Sequence, residues 1–355
     1  MNGSLLPAWV FLFLATAGGV TAQDGSSFLL GPPEENGPVP VSVGFFLSDI
    51  NDIDEGKQRF EVEGVVTLKW QDPRMAFDPE AAGVPEKVFQ GPYQSSELAT
   101  GWWPQVVLAN ESGGYLRQGV LLRQGHDGRM TYMEEMNATV EMRAELRRFP
   151  FDRETFEMVF EVLGFDQNQI RLIPDSSTTG SPARGISVSE WRLEGLHALE
   201  VDQHRKFLDG AEQVQSAVVI SLDVARKPGF MLRVIALPMI LLVALSWSVF
   251  WMDRESLGDR MDISFVGILT VVAYQILVSA TLPKIPYFTL MGAFVYISLF
   301  TMAASVLVNL IVGRFDGTGR RELGNQVDHT CRWAFPAAYL ALILFSVGYF
   351  FIRYG

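Results

Sequence analysis

Four stretches without a single charged residue fill the second half of this 355-residue chain, and they limit what it can fold into more than any other feature. They run Val234–Met252, Ile263–Pro283, Ile285–Gly313 and Trp333–Ile352, lengths of 19, 21, 29 and 20 residues. About 20 apolar residues cross a bilayer as a helix, and in hydrocarbon only helices and closed barrels satisfy every backbone polar group. Buried helices of soluble domains are rarely so long and so free of charge. The pattern predicts a transmembrane domain over residues 227–355, with four spans near 230–252, 259–282, 286–313 and 329–353.

The first half is of another kind. From Gln23 to Arg226 there are 18 basic and 33 acidic residues, net −15, whereas Lys227 onward carries 10 and 7, net +3. Charged residues make up 19% of the chain against roughly 25% in soluble domains. Apolar residues make up 48%, which excludes a disordered or nucleic-acid-binding protein. The single cysteine, Cys331, permits no intrachain disulfide and no cysteine-built zinc site, and the histidines are too scattered for a metal-ligand spacing. No metal or cofactor is expected.

Leu5 to Val20 is an apolar run ending in the small-residue pattern Val20-Thr21-Ala22, so residues 1–22 read as a secretory signal. Residues 23–40 are a turn-rich flexible lead-in. From Val41, short runs of strand character follow at Val41–Leu47, Arg59–Trp70, Gln105–Leu108, Arg129–Met133, Ala138–Arg143, Thr155–Val162, Ile170–Ile173, Glu190–Glu200 and Ala217–Ala225. Turn clusters such as Glu111–Gly114, Gly125–Gly128 and Ser176–Pro182 separate them, which predicts an antiparallel β-sandwich over residues 41–226. The expected fold class is an extracellular all-β sandwich joined to a membrane all-α bundle. With the sandwich exported, four spans return the C-terminus to the outside of the plasma (inner) membrane. The connections Asp253–Asp262 and Arg314–Asp328, with Arg254, Arg260, Arg314, Arg320 and Arg321, then lie in the cytoplasm, as the positive-inside bias requires.

Four short motifs occur in order along the chain. They are Trp70-Gln71-Asp72-Pro73-Arg74, Trp102-Trp103-Pro104, Phe149-Pro150-Phe151-Asp152 and Arg226-Lys227-Pro228, the last leading to Leu237-Pro238. Longer phrases follow at Ser246–Trp251, Leu269–Tyr274 and Leu282–Tyr287. Their order and spacing resemble the pentameric ligand-gated ion channels, the Cys-loop receptor superfamily, and most of all its prokaryotic members. The resemblance covers residues 41–355. Where animal receptors place the two loop cysteines this chain has Met142 and Phe156, and the connection between the third and fourth spans is only about 15 residues.

The resemblance implies a cation-selective channel of five identical subunits, embedded in membrane lipid, passing monovalent cations when a small-molecule agonist binds between sandwiches. It implies a pore lined by the second span, with Asp259, Asp262, Val266, Leu269, Ala273, Ile276 and Ala280 on its axial face. From Asp262 these steps of four and three residues form one helical stripe. Five copies of Asp259 and Asp262 would make two carboxylate rings that concentrate cations. At the boundary between domains the resemblance implies coupling through Asp54, Glu55, Pro150, Asp152, Arg226, Pro283 and Pro286, with Asp152 and Arg226 as an ion pair. For the agonist it points to the neighbourhood of Trp103, Tyr132, Glu134, Glu161, Leu163, Phe165 and Phe207. Several positions that hold aromatics in the family are aliphatic or small here, among them Val65 and Ala109. A small amine, an aromatic acid and protons all remain as agonists. An alternative reading is a membrane-anchored sensor or adhesion module without a conducting pore; it needs no carboxylates along one stripe of the second span. No His-Glu-x-x-His, Gly-x-Ser-x-Gly or phosphate-cradling glycine loop is present, so an enzyme is not expected.

Overall fold

The computed structural model describes residues 31–33, 37–91, 101–182, 185–186, 188, 190–206, 212–252, 257–281 and 286–354. The expected signal segment, Phe207 and Pro283 lie outside the described residues, and for Asp259 and Ala280 only the backbone is described.

Among the described residues, ten strands form two packed sheets. The first has the order β3 (Glu86–Gly91), β5 (Glu111–Gly125), β6 (Arg129–Glu141), β2 (Arg59–Gln71), β1 (Val39–Asp54) and β8 (Ile170–Pro174). The second has the order β4 (Val106–Leu108), β7 (Arg153–Val162), β10 (Glu212–Arg226) and β9 (Trp191–Lys206). Period-two alternation is what builds the interior. Phe60, Val62, Val66, Leu68 and Trp70 of β2 and Met130, Met136, Ala138 and Val140 of β6 face Phe156, Met158, Phe160 and Val162 of β7. Phe156 stacks on Phe60 with ring centroids 5.2 Å apart and meets the edge of Trp191 at 5.7 Å. Met142 is buried in the same core, so apolar packing occupies the place of the absent bridge.

Three strand expectations need correction. β6 is one strand where two were expected, because Glu134 and Glu135 stay in register with β2 throughout. β3 and β5 were not expected at all. The glycines of β5 read as turn signals, yet the ladder to β6 absorbs them in register shifts at Glu111/Gly114 and Arg117/Gly119. The sheets are antiparallel except that β8 runs parallel to β1, after crossing over from β7 in the other sheet. The β5–β6 turn is where a glycine is required. Gly128 has φ +82°, and a Cβ there would lie 2.4 Å from the Asp72 carbonyl oxygen.

Four long helices follow: α1 (Gly229–Trp251), α2 (Leu257–Thr281), α3 (Leu290–Gly317) and α4 (Arg321–Tyr354). Among the described residues α1, α3 and α4 are long and apolar enough to cross a membrane, and α2 has 25 residues, about 37 Å at 1.5 Å each. Ahead of Pro238, α1 widens into a π-turn at Leu232–Ala236, which accommodates a ring that would clash with the carbonyl of an ordinary preceding turn. Thr289 caps α3 by accepting the Gly292 N–H at 3.0 Å. The helical core joins Met231, Ile235, Met239 and Val243 of α1 to Val271, Val278, Met291, Val295, Met302 and Tyr339. Two residues from the sandwich side, Leu146 and Phe149, belong to that same core.

Candidate functional site

The strand-to-helix boundary is built around Arg226, the last residue of β10, whose side chain is 1% exposed. Its Nε donates to both Asp152 carboxylate oxygens at 3.0 Å, Nη2 to Glu55 at 2.7 Å and Nη1 to Glu190 at 3.4 Å. The guanidinium plane lies 4.0 Å from the Trp191 ring centroid and 4.7 Å from that of Phe149. Arginine tolerates such burial because its fork can meet several carboxylates at once and its faces stack on rings. Burial pushes the Asp152 carboxyl up, against the pull of the Arg226 charge. The expected pair is thus one edge of a larger cluster. Glu190, Trp191 and Phe149 could not be found from spacing, since they come together only through the β9–β10 pairing and the loop before β7.

That loop, residues 144–152, rests directly on the helices. The Met291 N–H of α3 donates to the Phe149 carbonyl at 3.1 Å. The Leu146 N–H donates to the Tyr287 hydroxyl at 3.1 Å. Arg147 donates to the Tyr354 hydroxyl of α4 at 2.6 Å and lies over the rings of both Tyr287 and Tyr354. Phe151 meets Phe351 at 6.2 Å between ring centroids. Pro150 is buried within this contact, whereas Pro286 is exposed beside it. Strand β1 continues through Asp54, so the turn toward the helices is Glu55–Gln58. Asp54 braces it by accepting the Lys57 N–H at 2.9 Å, and the Lys57 side chain holds its carboxyl below the ordinary range.

On α2 the two faces differ sharply. Val266, Leu269 and Ile276 are 61%, 70% and 68% exposed, and Asp262 and Ala273 are exposed on the same stripe. At about 100° per residue, Arg260 lies on the opposite side of the helix, in line with Val271 and Val278. Those two are buried, and so is Arg260. It pairs with both oxygens of Asp328 on α4 at 3.1 Å, and Nη2 donates to Asn309 of α3 at 3.3 Å. At the same end, Arg332 of α4 donates to the Phe250 carbonyl of α1 at 2.8 Å. Arg260, expected as a cytoplasmic charge, is instead enclosed by the helices. Its helical position opposite Asp262 was the signal that it turns inward.

In the upper sandwich, Trp103 packs on Tyr132 at 5.3 Å, and Trp102 meets the edges of Trp70 and Phe165. Tyr132 and Glu134 sit on the inward face of β6 and are buried. Glu134 accepts from the hydroxyls of Tyr115 and Tyr132 and from Arg117 Nε at 2.9 Å. Burial first and the Glu134 charge or its hydrogen bond next push both tyrosine hydroxyls far above their ordinary value. Tyr132 and Glu134 are thus both engaged inside the sandwich of their own subunit. Glu161 is buried between β4 and β10, Leu163 is exposed, and Phe165 is half-buried.

The sequence matches the ligand binding domain of neurotransmitter-gated ion channels over residues 27–228 and their transmembrane region over residues 235–322. The chain belongs to the pentameric ligand-gated ion channels, the Cys-loop family. As a member it is a subunit of an oligomeric, ligand-gated membrane channel, not an enzyme, with an N-terminal β-sandwich followed by a helical transmembrane region. It is 25% identical to a proton-gated ion channel of Gloeobacter violaceus over 309 residues, 87% of this chain and 82% of that one. It is also 25% identical to pH-sensitive chloride channel 2 of Anopheles gambiae, covering 71% of this chain and 42% of that one. To the gamma-aminobutyric acid receptor subunit beta-4 of Gallus gallus it is again 25% identical, covering 86% of this chain and 61% of that one. These relatives therefore include one named for chloride and one named for protons. Family membership alone does not fix which ion passes.

Proposed function

We propose that five copies of this chain form a cation-selective channel in the plasma (inner) membrane, with the α2 helices around a central pore. The sandwiches and the C-termini lie outside the cytoplasm, each chain crosses four times, and an agonist binds between neighbouring sandwiches. What carries this reading is the exposed α2 stripe. It holds Leu269 and Ile276 and, at its start, the carboxylate of Asp262, none of them covered by the chain's own bundle. A carboxylate on a membrane helix is costly against lipid and belongs on a water-filled cavity, which identical chains provide by closing a ring. Five copies each of Asp259 and Asp262 at that mouth attract cations and repel anions. The agonist contacts belong to the neighbourhood of Trp103, Tyr132, Glu134, Glu161, Leu163, Phe165 and Phe207, with the buried Tyr132, Glu134 and Glu161 backing the more exposed members from within. Aromatic faces beside a carboxylate suit a small amine; an aromatic acid and the proton are the other candidates, and relatives are named for proton gating, for pH sensitivity and for gamma-aminobutyric acid. Asp54, Glu55, Pro150, Asp152, Arg226, Pro283 and Pro286 pass the signal to the helices.

The test uses the full-length chain in lipid, activated by a panel of small amines and by pH steps. Its mass in mild detergent should correspond to five copies, and its reversal potential in a sodium chloride gradient should follow sodium. Replacing Asp259 and Asp262 together by asparagine should move that potential toward chloride. A strongly cation-selective potential that survives both replacements, or a mass of one or two copies, would refute the assignment.

A further inference from the structure

One acidic group at the boundary between sandwich and helices is left over from the arginine cluster. Glu154, on the inward face of β7, is 8% exposed. Its Oε2 accepts the Glu145 N–H at 3.0 Å, and its Oε1 has no hydrogen-bond partner among the described residues. The charged and titratable groups facing it are Asp152 and Glu145 of the loop before β7, Arg226 from β10 and Tyr287 from the segment ahead of α3. Two of these are carboxylates, and the one cation is already shared among Asp152, Glu55 and Glu190. An ionised carboxylate so placed meets low dielectric and like charge together, and taking up a proton relieves both.

The next residue of the loop gives this a consequence. Two consecutive amides are held from opposite sides. Glu145 N–H is held by Glu154 of the sandwich, and Leu146 N–H by Tyr287 of the helical side. Just beyond them, Leu146 and Phe149 enter the helical core. We propose that Glu154 is a proton-binding site whose occupancy sets how firmly the sandwich grips the loop that rests on the helices. The proposal rests on the reading of this boundary as the coupling region. Ionised, Glu154 makes a charge-assisted bond to the Glu145 amide; protonated, it makes a weaker neutral one, and the loop is then held mainly from the helical side. Burial, followed by the Asp152 and Glu145 charges, raises its carboxyl to about 7, so the exchange of states falls near neutral pH.

Two readouts on the full-length chain in lipid vesicles test this, with the proton itself as the probe. In infrared difference spectra, a protonated-carboxyl band should grow in between about pH 8.5 and 5.5 with a midpoint near 7, and Glu154→Gln should abolish it. Deuterium exchange at the Glu145 amide, corrected for intrinsic rate, should be about tenfold faster in the protonated state, the equivalent of one pKa unit of differential bonding. Glu154→Gln should show the fast rate at both ends of the range. Glu154→Asp keeps an acid but is one methylene too short for the amide; it should keep a titrating band and lose the pH dependence of exchange. A wild-type chain without the band, or with exchange indifferent to pH, overturns the proposal. Both readouts are independent of conductance, so an absence of current would count against the channel reading alone.

Discussion

Arg226 illustrates how a single side chain can commit a boundary. Its charge is out of water only because Asp152, Glu55 and Glu190 surround it. Removing one member of such a cluster leaves the others stranded, which costs about 3–5 kcal/mol. Arg226→Gln should therefore destabilise the purified chain by that order in a denaturant titration, whereas Arg226→Lys, which keeps the charge but loses the fork, should cost less. A loss below about 1 kcal/mol for the glutamine variant would mean the cluster is solvated, like an ordinary surface pair. Glu154 acts in the opposite sense. Its folded value of about 7 lies above the ordinary 4.5, so the folded chain holds the extra proton between those limits. Stability is then full below about 4.5, declines as pH rises, and is lower by about 3 kcal/mol once past 7. Denaturant midpoints of wild type and Glu154→Gln should diverge as pH is raised through that window, the variant staying level; parallel curves would place the carboxyl at its ordinary value. The Asp152–Arg226 pair was legible in the sequence from two short motifs. Glu154 was not, because nothing in a strand's alternation says that one inward position is a carboxylate without a full set of donors.

At the level of elements, patterns of period were readable and patterns of partnership were not. Alternation located β2 and β7 closely, and freedom from charge located the apolar lengths of the helices. But β10 begins at Glu212, five residues ahead of the expected Ala217, and α4 begins at Arg321, eight ahead of the expected residue 329. Strand β5 escaped because Gly113, Gly114 and Gly119 carry no periodic signal, and its ladder to β6 supplies what they lack. The same division holds on α2. Once the resemblance marks the pore face, spacing gives the stripe from Asp262 to Ile276 and the place of Arg260 opposite it. The partners of Arg260, Asn309 and Asp328, stand 49 and 68 residues away and could not be read. The stripe also yields a prediction. Leu269 and Ile276 are two turns apart, and in the proposed ring they form apolar constrictions that stop ions by excluding water. Leu269→Ser should hydrate the nearer one and give standing leak or activation at lower agonist concentration. Currents normalised to surface protein decide the matter: a merely smaller current, with no leftward shift, would make Leu269 a packing residue.

For the whole molecule, the two ends of the helical bundle are held very differently. Toward the sandwich, the contacts are a loop and several ring faces. At the far end, α2 is fastened to α3 and α4 by the bidentate bond of Arg260 to Asp328 and its link to Asn309. Further along, α2 is held by the packing of Val271 and Val278 and by the Tyr274 hydroxyl on the Val234 carbonyl. In the proposed channel a tilt of α2 therefore pivots at the buried ion pair, the firmest of these holds. Leu269 and Ile276 stand 9 and 16 residues from that pivot, about 13 and 24 Å along the axis at 1.5 Å per residue. Any tilt of α2 then carries Ile276 about 1.8 times as far as Leu269, the ratio of those two arms. Distances between spin labels at Leu269→Cys and at Ile276→Cys, in a Cys331→Ser background, should change in that proportion between conducting and silent conditions. Equal changes would mean that the helix slides or turns as a rigid rod with no fixed point. With the proportion kept, Asp262 beside the pivot stays nearly still while the belt at Ile276 widens, so in the proposed channel the part of the wall assigned to choosing the ion need not move when the part assigned to stopping it does.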